Sequence, residues 1–206
     1  MTAEIKGFVE YLEKVKEASN NTVISYQRDL TQLASFLENK GITEVGKVTK
    51  TSLNSYILEL EKEGKAAATI SREMASIKAF FHYAFRQGMI RRDPSEFMKA
   101  PKVEKKAPVI LTLAEVNALL EQPGGNSPKE NRHKAMLELL YATGTRVSEL
   151  IGLQMEDRNL KVGYSVCRGR NKERMVPFGK HVKEALTDYL ESARGELLKG
   201  GESPWL

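Results

Sequence analysis

Apolar side chains recur at three- and four-residue steps in four successive stretches of the first hundred residues, the repeat of a helix that buries one stripe. Ile5, Phe8, Val9, Leu12 and Val15 mark the first helix. Thr22 is placed to cap the second, whose inner face is Val23, Tyr26, Leu30, Leu33, Ala34 and Leu37, with Gly41 as the stop after Lys40. Leu53, Tyr56, Ile57 and Leu60 predict a third helix ended at Gly64. Ile70, Met74, Ile77, Phe81 and Phe85 predict a fourth, ended at Gly88 before the turn signal Asp93-Pro94. Together they predict an all-α N-terminal domain over residues 1–93.

The periodicity then lapses. Residues 94–110 contain the run from Lys99 to Pro108, rich in proline and lysine, which reads as an extended charged linker. A second domain is expected over residues 111–206. Thr112 and Glu115 have capping-box spacing and open a helix carrying Leu113, Val116, Leu119 and Leu120, ended by Pro123-Gly124-Gly125. Pro128 suits the first turn of the next helix, which runs through Ala135, Met136, Leu139 and Leu140 to Thr143-Gly144, with a short helix from Val147 to Gly152 after it. Lys161 to Val166 and Glu173 to Pro177 favour strands around a turn containing Gly169, so a small antiparallel hairpin or meander is predicted. A last helix spans His181 to Leu198. The fold class is mainly α with one small antiparallel sheet.

Composition sets limits on this picture without changing it. A chain of 206 residues at 41% hydrophobic content can fill two small cores. The single cysteine, Cys167, excludes an intramolecular disulfide and is expected as a buried strand residue. The first residues do not run from positive charge into an apolar stretch, so neither secretion nor a membrane is indicated and a cytoplasmic protein is expected. Net charge is only +5, but it is unevenly spread. Lys65 to Lys106 holds ten basic and four acidic residues, and Lys161 to Lys183 holds seven and one, so the remainder is acidic. Two basic zones fit a polyanion partner, although solvated helix faces also collect lysines.

The segment Leu139-Leu-Tyr-Ala-Thr-Gly-Thr-Arg-Val-Ser-Glu-Leu150 carries the clearest candidate chemistry. One helix ends at Gly144, and Arg146 stands where the next begins. A guanidinium fixed in this way can grip two oxygens of one phosphate through its planar fork. Glu149, three residues on, lies on the same helical face and can orient it. The same pair also reads as a structural helix-end ion pair. Lys172, by itself, is an ordinary hairpin lysine.

The run Ala-Thr-Gly-Thr-Arg-Val-Ser-Glu-Leu resembles the first arginine motif of the tyrosine recombinases of the phage-integrase and Xer type. Asn21-Thr-Val-Ile-Ser-Tyr-Gln-Arg-Asp-Leu30 is similar to the second helix of their core-binding domain, Arg92-Asp-Pro-Ser95 to the end of its fourth, and Asn171-Lys-Glu-Arg-Met-Val-Pro177 to their catalytic hairpin. The match runs in register along nearly the whole chain. It implies a SAM-like four-helix domain followed by part of the α-rich catalytic domain. In such enzymes Arg146 would bind the scissile phosphate, Lys172 would protonate the departing 5′ hydroxyl, and Glu149 would support the arginine. The second and fourth helices would lie against DNA, making Arg28, Thr69, Ser71, Arg72 and Lys78 contact candidates, with Arg170 in the hairpin turn. The implied partners are double-stranded DNA and further recombinase subunits, and no metal or other cofactor is needed.

The family's nucleophile is a tyrosine that follows a His-x-x-Arg motif near the C-terminus. His82, His133 and His181 have no arginine three residues on, and Tyr189, the last of seven tyrosines, precedes the position of that motif. The chain therefore reads as the front two thirds of a recombinase, with a surviving arginine and lysine but no nucleophile. Arg168-Gly169-Arg170 carries one glycine where the family usually has two around a lysine. Thr145 and Arg158 stand where the family shows apolar side chains, and His133 where aspartate is common. Three functions are compatible with this reading: a strand-exchanging recombinase, a DNA-binding protein that does not cleave, and a helical protein-interaction module with incidental basic patches.

Overall fold

A computed structural model describes residues 1–102, 107–125, 127–169 and 172–206. Met1–Ala107 and Pro108–Leu206 are two units, each with its own hydrophobic cluster.

In the first unit, helix α1 (Thr2–Lys14) buries Ile5, Phe8 and Leu12, while Val15 lies at the C-cap and faces solvent rather than continuing the stripe. Helix α2 (Asn20–Glu38) starts earlier than expected, because Ser19 and not Thr22 is its cap. The Ser19 hydroxyl accepts from the Thr22 backbone N–H at 3.1 Å. The sequence Ser19-Asn-Asn-Thr22 offers four successive cap-competent residues, and the first of them leaves Val23 on the inner face. Helix α3 (Lys50–Lys62) opens with a reciprocal capping box between Thr49 and Ser52. A 3-10 turn at Val45–Lys47, absent from the periodicity reading, precedes it and buries Val45. Helix α4 (Ala67–Arg86) runs through the centre of the unit, packed on α1, α2 and α3. Phe80 meets Phe8 edge-on at 5.6 Å and Phe81 at 5.2 Å between ring centroids. Phe85, expected on the inner face, is 47% exposed, since the last turn of α4 runs past the end of the core.

A polar network lies inside this unit. Asp29 is buried and takes the Arg72 guanidinium on both carboxylate oxygens, with the Ser76 hydroxyl donating to Oδ2 at 3.0 Å. Glu73 is also buried, and the Tyr56 hydroxyl donates to it at 2.7 Å. Burial raises the Glu73 carboxyl above its usual range, with the Tyr56 hydrogen bond opposing the shift. A carboxyl whose folded pKa is raised contributes stability that is complete below the unfolded value of about 4.3 and is lost as pH rises through the folded value. Glu73→Gln keeps an acceptor for Tyr56 and removes the titration. The variant is expected to melt above the parent at pH 7, with the difference closing toward pH 4 in a series of thermal scans. A parent that melts higher at pH 7 would contradict this.

The second unit begins with α5 (Leu113–Glu121), where Thr112 and Glu115 form the expected capping box. None of its residues is fully buried: Leu113 and Leu119 are exposed, and only Val116 and Leu120 are partly covered. Helix α6 (Pro128–Thr143) is capped by Ser127 with Glu130, carries Pro128 in its first turn and buries Ala135 and Leu139. After α7 (Val147–Ile151), strands β1 (Arg158–Asn159), β2 (Tyr164–Arg168) and β3 (Glu173–Pro177) form an antiparallel sheet in the order β1-β2-β3. Strand β2 starts at Tyr164 and not at Lys161. Asn159 holds the preceding turn by accepting from Val162 through its side chain at 3.0 Å and from Gly163 through its carbonyl at 2.7 Å.

The last helix is interrupted. Helix α8 (Lys180–Asp188) passes through a π-helical turn at Tyr189–Ala193 into α9 (Arg194–Leu198). Cys167, Val182, Leu186, Tyr189 and Ala193 fill the core beside α6, so Cys167 is the buried strand residue expected and Tyr189 is a packing residue. Beyond α9 the chain returns against Gln154, with Met155 donating to the Pro204 carbonyl at 2.8 Å and Leu206 to that of Leu153 at 2.9 Å. Arg194 holds this return by donating to the carbonyls of Ser203 and Trp205. Among the described residues no helix is long and apolar enough to cross a membrane.

Candidate phosphate-binding site

The site is built at the junction of α6 and α7. Gly144 ends α6 in the left-handed region, φ +58°, which a side chain would disfavour. Its neighbours are tied down by hydroxyls. Thr143 Oγ1 lies 2.6 Å from Thr145 Oγ1 and accepts from the Thr145 backbone N–H at 3.2 Å. Thr145 is buried and its hydroxyl also meets Cys167 Sγ at 3.6 Å. The polar residue that stands in an apolar position of the motif is thus satisfied internally and braces the turn against β2. Arg158, the other such departure, sends Nη1 to the Met155 carbonyl while its Nε is buried without a partner among the described residues. Burial lowers its pKa, with the nearby Arg194 charge adding to the effect.

Arg146 is the N-cap residue of α7, in extended conformation. Its backbone N–H donates to Glu149 Oε2 at 2.8 Å and its Nη1 to Oε1 at 3.0 Å. The Glu149 side chain is 6% exposed and the Arg146 side chain 73%, so the carboxylate is the fixed part and the guanidinium is presented to solvent. The backbone N–H of Arg146, followed by the Arg174 charge and the Arg146 side chain, holds the Glu149 carboxyl below its usual range against the opposing effect of burial. It is ionised throughout the neutral range. An anchored, exposed guanidinium of this kind can take a phosphate bidentately without first losing its orienting partner.

Arg174 was not singled out from the sequence. It lies on β3 directly opposite Cys167, and its Nη2 donates to Glu149 Oε2 at 2.7 Å. One carboxylate therefore collects Arg146 from its own helix turn and Arg174 from 25 residues further along the chain. Lys172 is exposed and stands just before β3, where its carbonyl accepts from Gly169 N–H at 2.8 Å and closes the hairpin. It is two residues before Arg174, the spacing that gives one face of an extended chain. Arg170, the remaining hairpin candidate, lies outside the described residues. Arg168 is taken up by Asp157, Glu156 and Glu173.

The other candidates lie in the first unit. Arg28 on α2 and Lys78 on α4 are exposed, and their side chains have no ion pair or hydrogen bond among the described residues. Ser71 and Thr69 are half-buried, and Ser71 and Lys78 are two turns apart on one face of α4. Arg72 differs from the rest, because its guanidinium is already held by Asp29, although 43% of the side chain is still exposed.

Residues 5–88 match the family model described as phage integrase, N-terminal SAM-like domain, and residues 110–206 match that of the phage integrase family. Over 187 residues the chain is 46% identical to a Caldanaerobacter subterraneus subsp. tengcongensis protein whose name places it among the tyrosine recombinases, covering 91% of this chain and 64% of the relative. Tyrosine recombinase XerD of Halalkalibacterium halodurans is 40% identical over 197 residues, 95% of this chain and 66% of its own length. Tyrosine recombinase XerC of Herpetosiphon aurantiacus is 38% identical over 208 residues, all of this chain and 68% of its own length. The chain thus spans about two thirds of the curated relatives it matches. Among solved structures the fold is similar to that of a lambda integrase dimer bound to a COC′ core site, with a TM-score of 0.73, 19% identity, and coverage of 98% of this chain and 69% of that one. It is also similar to the Tn1549 transposon integrase in complex with a circular intermediate DNA, with a TM-score of 0.68, 20% identity, and coverage of 93% and 66%.

Proposed function

The chain belongs to the tyrosine recombinase family, and from that membership we propose that it binds duplex DNA in the cytoplasm as a site-specific recombination protein. In the family's reaction a tyrosine hydroxyl attacks a DNA phosphodiester, forming a phosphotyrosine bond while the 5′ oxygen leaves and takes up a proton. Charge on the phosphate has to be held and a proton has to be delivered. Arg146 would supply the first function and Lys172 the second, with Glu149 fixing the direction of Arg146. Arg28, Lys78, Thr69, Ser71, Arg72 and Arg170 would hold the duplex backbone. A second copy, or a related recombinase, is the protein partner we propose on DNA.

The observation that carries this reading is the Arg146–Glu149 pair: a buried carboxylate orients a guanidinium that is 73% exposed and free to take an anion. Attack is a separate function, which the family assigns to a tyrosine that follows a His-x-x-Arg motif. No His-x-x-Arg occurs in these 206 residues, and Tyr189 is buried in the core of the second unit. The proposed behaviour of the chain as it stands is therefore phosphate binding without strand cleavage.

Two measurements test this. Arg146→Ala should weaken binding to a labelled duplex by about tenfold or more, the loss of one charged hydrogen-bonded contact. A nicked suicide duplex should yield no covalent protein–DNA adduct on a denaturing gel. An adduct would overturn the non-cleaving reading, and an Arg146→Ala variant that binds as the parent does would remove Arg146 from the site.

A further inference from the structure

Arg146 already satisfies most of what Glu149 requires. Its backbone N–H reaches Oε2 and its guanidinium reaches Oε1, so one oxygen has a neutral donor and the other a cation. A second cation is nonetheless brought to Oε2 by Arg174. Two positive charges around one negative charge leave the spot with an excess of one, which an incoming anion would neutralise.

Arg174 is placed for that anion. Register pairs it with Cys167, whose Sγ touches the Thr145 hydroxyl, so this side of the sheet abuts the turn that presents Arg146. Its side chain is 45% exposed. Only Nη2 of its fork is engaged among the described residues, and a guanidinium has five N–H donors. Lys172, two residues earlier, adds a third cation on the same side of the strand line.

We propose that Arg174 is a second phosphate-binding guanidinium, which grips with Arg146 the same stretch of DNA backbone from the sheet side while Glu149 holds both. This rests on the DNA-binding reading above. The competing account is that Arg174 merely neutralises Glu149, and it makes a different prediction about salt. A residue that touches phosphate releases counterions, so its removal flattens the dependence of affinity on salt, whereas a residue that only supports the fold leaves that slope unchanged.

The experiment uses the full chain and a fluorescein-labelled, mixed-sequence duplex, with anisotropy titrations at several KCl concentrations. The parent, Arg146→Ala, Arg174→Gln and Arg174→Lys are compared. Gln retains an N–H donor for Glu149 and so guards against misfolding, which a melting curve of each variant checks. Arg174→Gln should reduce the slope of log K against log[KCl] by about 1, with Lys keeping the slope. A parent that binds without salt dependence overturns the DNA reading and this inference with it. A salt-dependent parent with an unchanged Arg174→Gln slope overturns this inference alone.

Discussion

Raising KCl from about 50 to about 200 mM will lower the affinity of the chain for mixed-sequence duplex DNA by roughly 500-fold. Arg28, Lys78, Arg146, Lys172 and Arg174 are largely or partly exposed cations that can each neutralise one phosphate. Arg72 can touch the backbone but is left out of the count because Asp29 already neutralises it, and Arg170 is left out because it lies outside the described residues. Five phosphates give a slope of about −4.5, and a fourfold rise in salt raised to that power gives the stated loss. Net charge would not forecast this, since +5 over 206 residues is modest. What matters is that these cations lack full internal partners. A protein-interaction module with incidental lysines would show a nearly flat series, and a flat series would eliminate the DNA reading.

Phe80→Ala will cost the first unit about 3 to 5 kcal/mol, the usual range for emptying a buried phenylalanine site. Phe80 has no solvent exposure and stacks edge-on against Phe8 and Phe81, so the hole opens between two rings fixed by α1 and α4 themselves. Neither helix can close it without moving the other. For a domain of about 100 residues the loss corresponds to a fall of roughly 12 to 40 °C in melting temperature, enough to unfold it under ordinary conditions. Calorimetry should show the transition of the first unit collapsing while that of the second, built on a separate core, persists. Phe85→Ala, five residues away on the same helix but 47% exposed, should change stability by roughly 0.5 kcal/mol. Equal effects at the two positions would refute the packing account.

The contrast between Phe80 and Phe85 also shows what the sequence could disclose. Helical periodicity located all four helices of the first unit because each buries a stripe, and Gly41, Gly64 and Gly88 located the ends of the last three because a chain leaving a helix often needs a left-handed residue. Periodicity does not reveal where a stripe leaves the core, which is why Val15 and Phe85 read as inner residues and are not. It was equally blind at α5, whose apolar repeat is real but finds little to pack on. The cap of α2 was misplaced for a chemical reason: four neighbouring residues could all serve. At the candidate site, Arg146 and Glu149 were legible because three residues separate them within one helical turn. Arg174 was not, since its meeting with Glu149 depends on a hairpin register and on a sheet packing against a helix junction, neither of which leaves a local pattern. The Asp29–Arg72 pair was hidden in the same way, across 43 residues.

Glu149 caps a helix with the same carboxylate that aims two guanidiniums. Capping the first turn of α7 and orienting Arg146 draw on one carboxylate, so the receptor for an anion is largely arranged when the unit folds and not when the ligand arrives. Part of the rotational freedom of those side chains has already been given up before any encounter. Arrival should then be limited by diffusion and electrostatic attraction rather than by a search among rotamers.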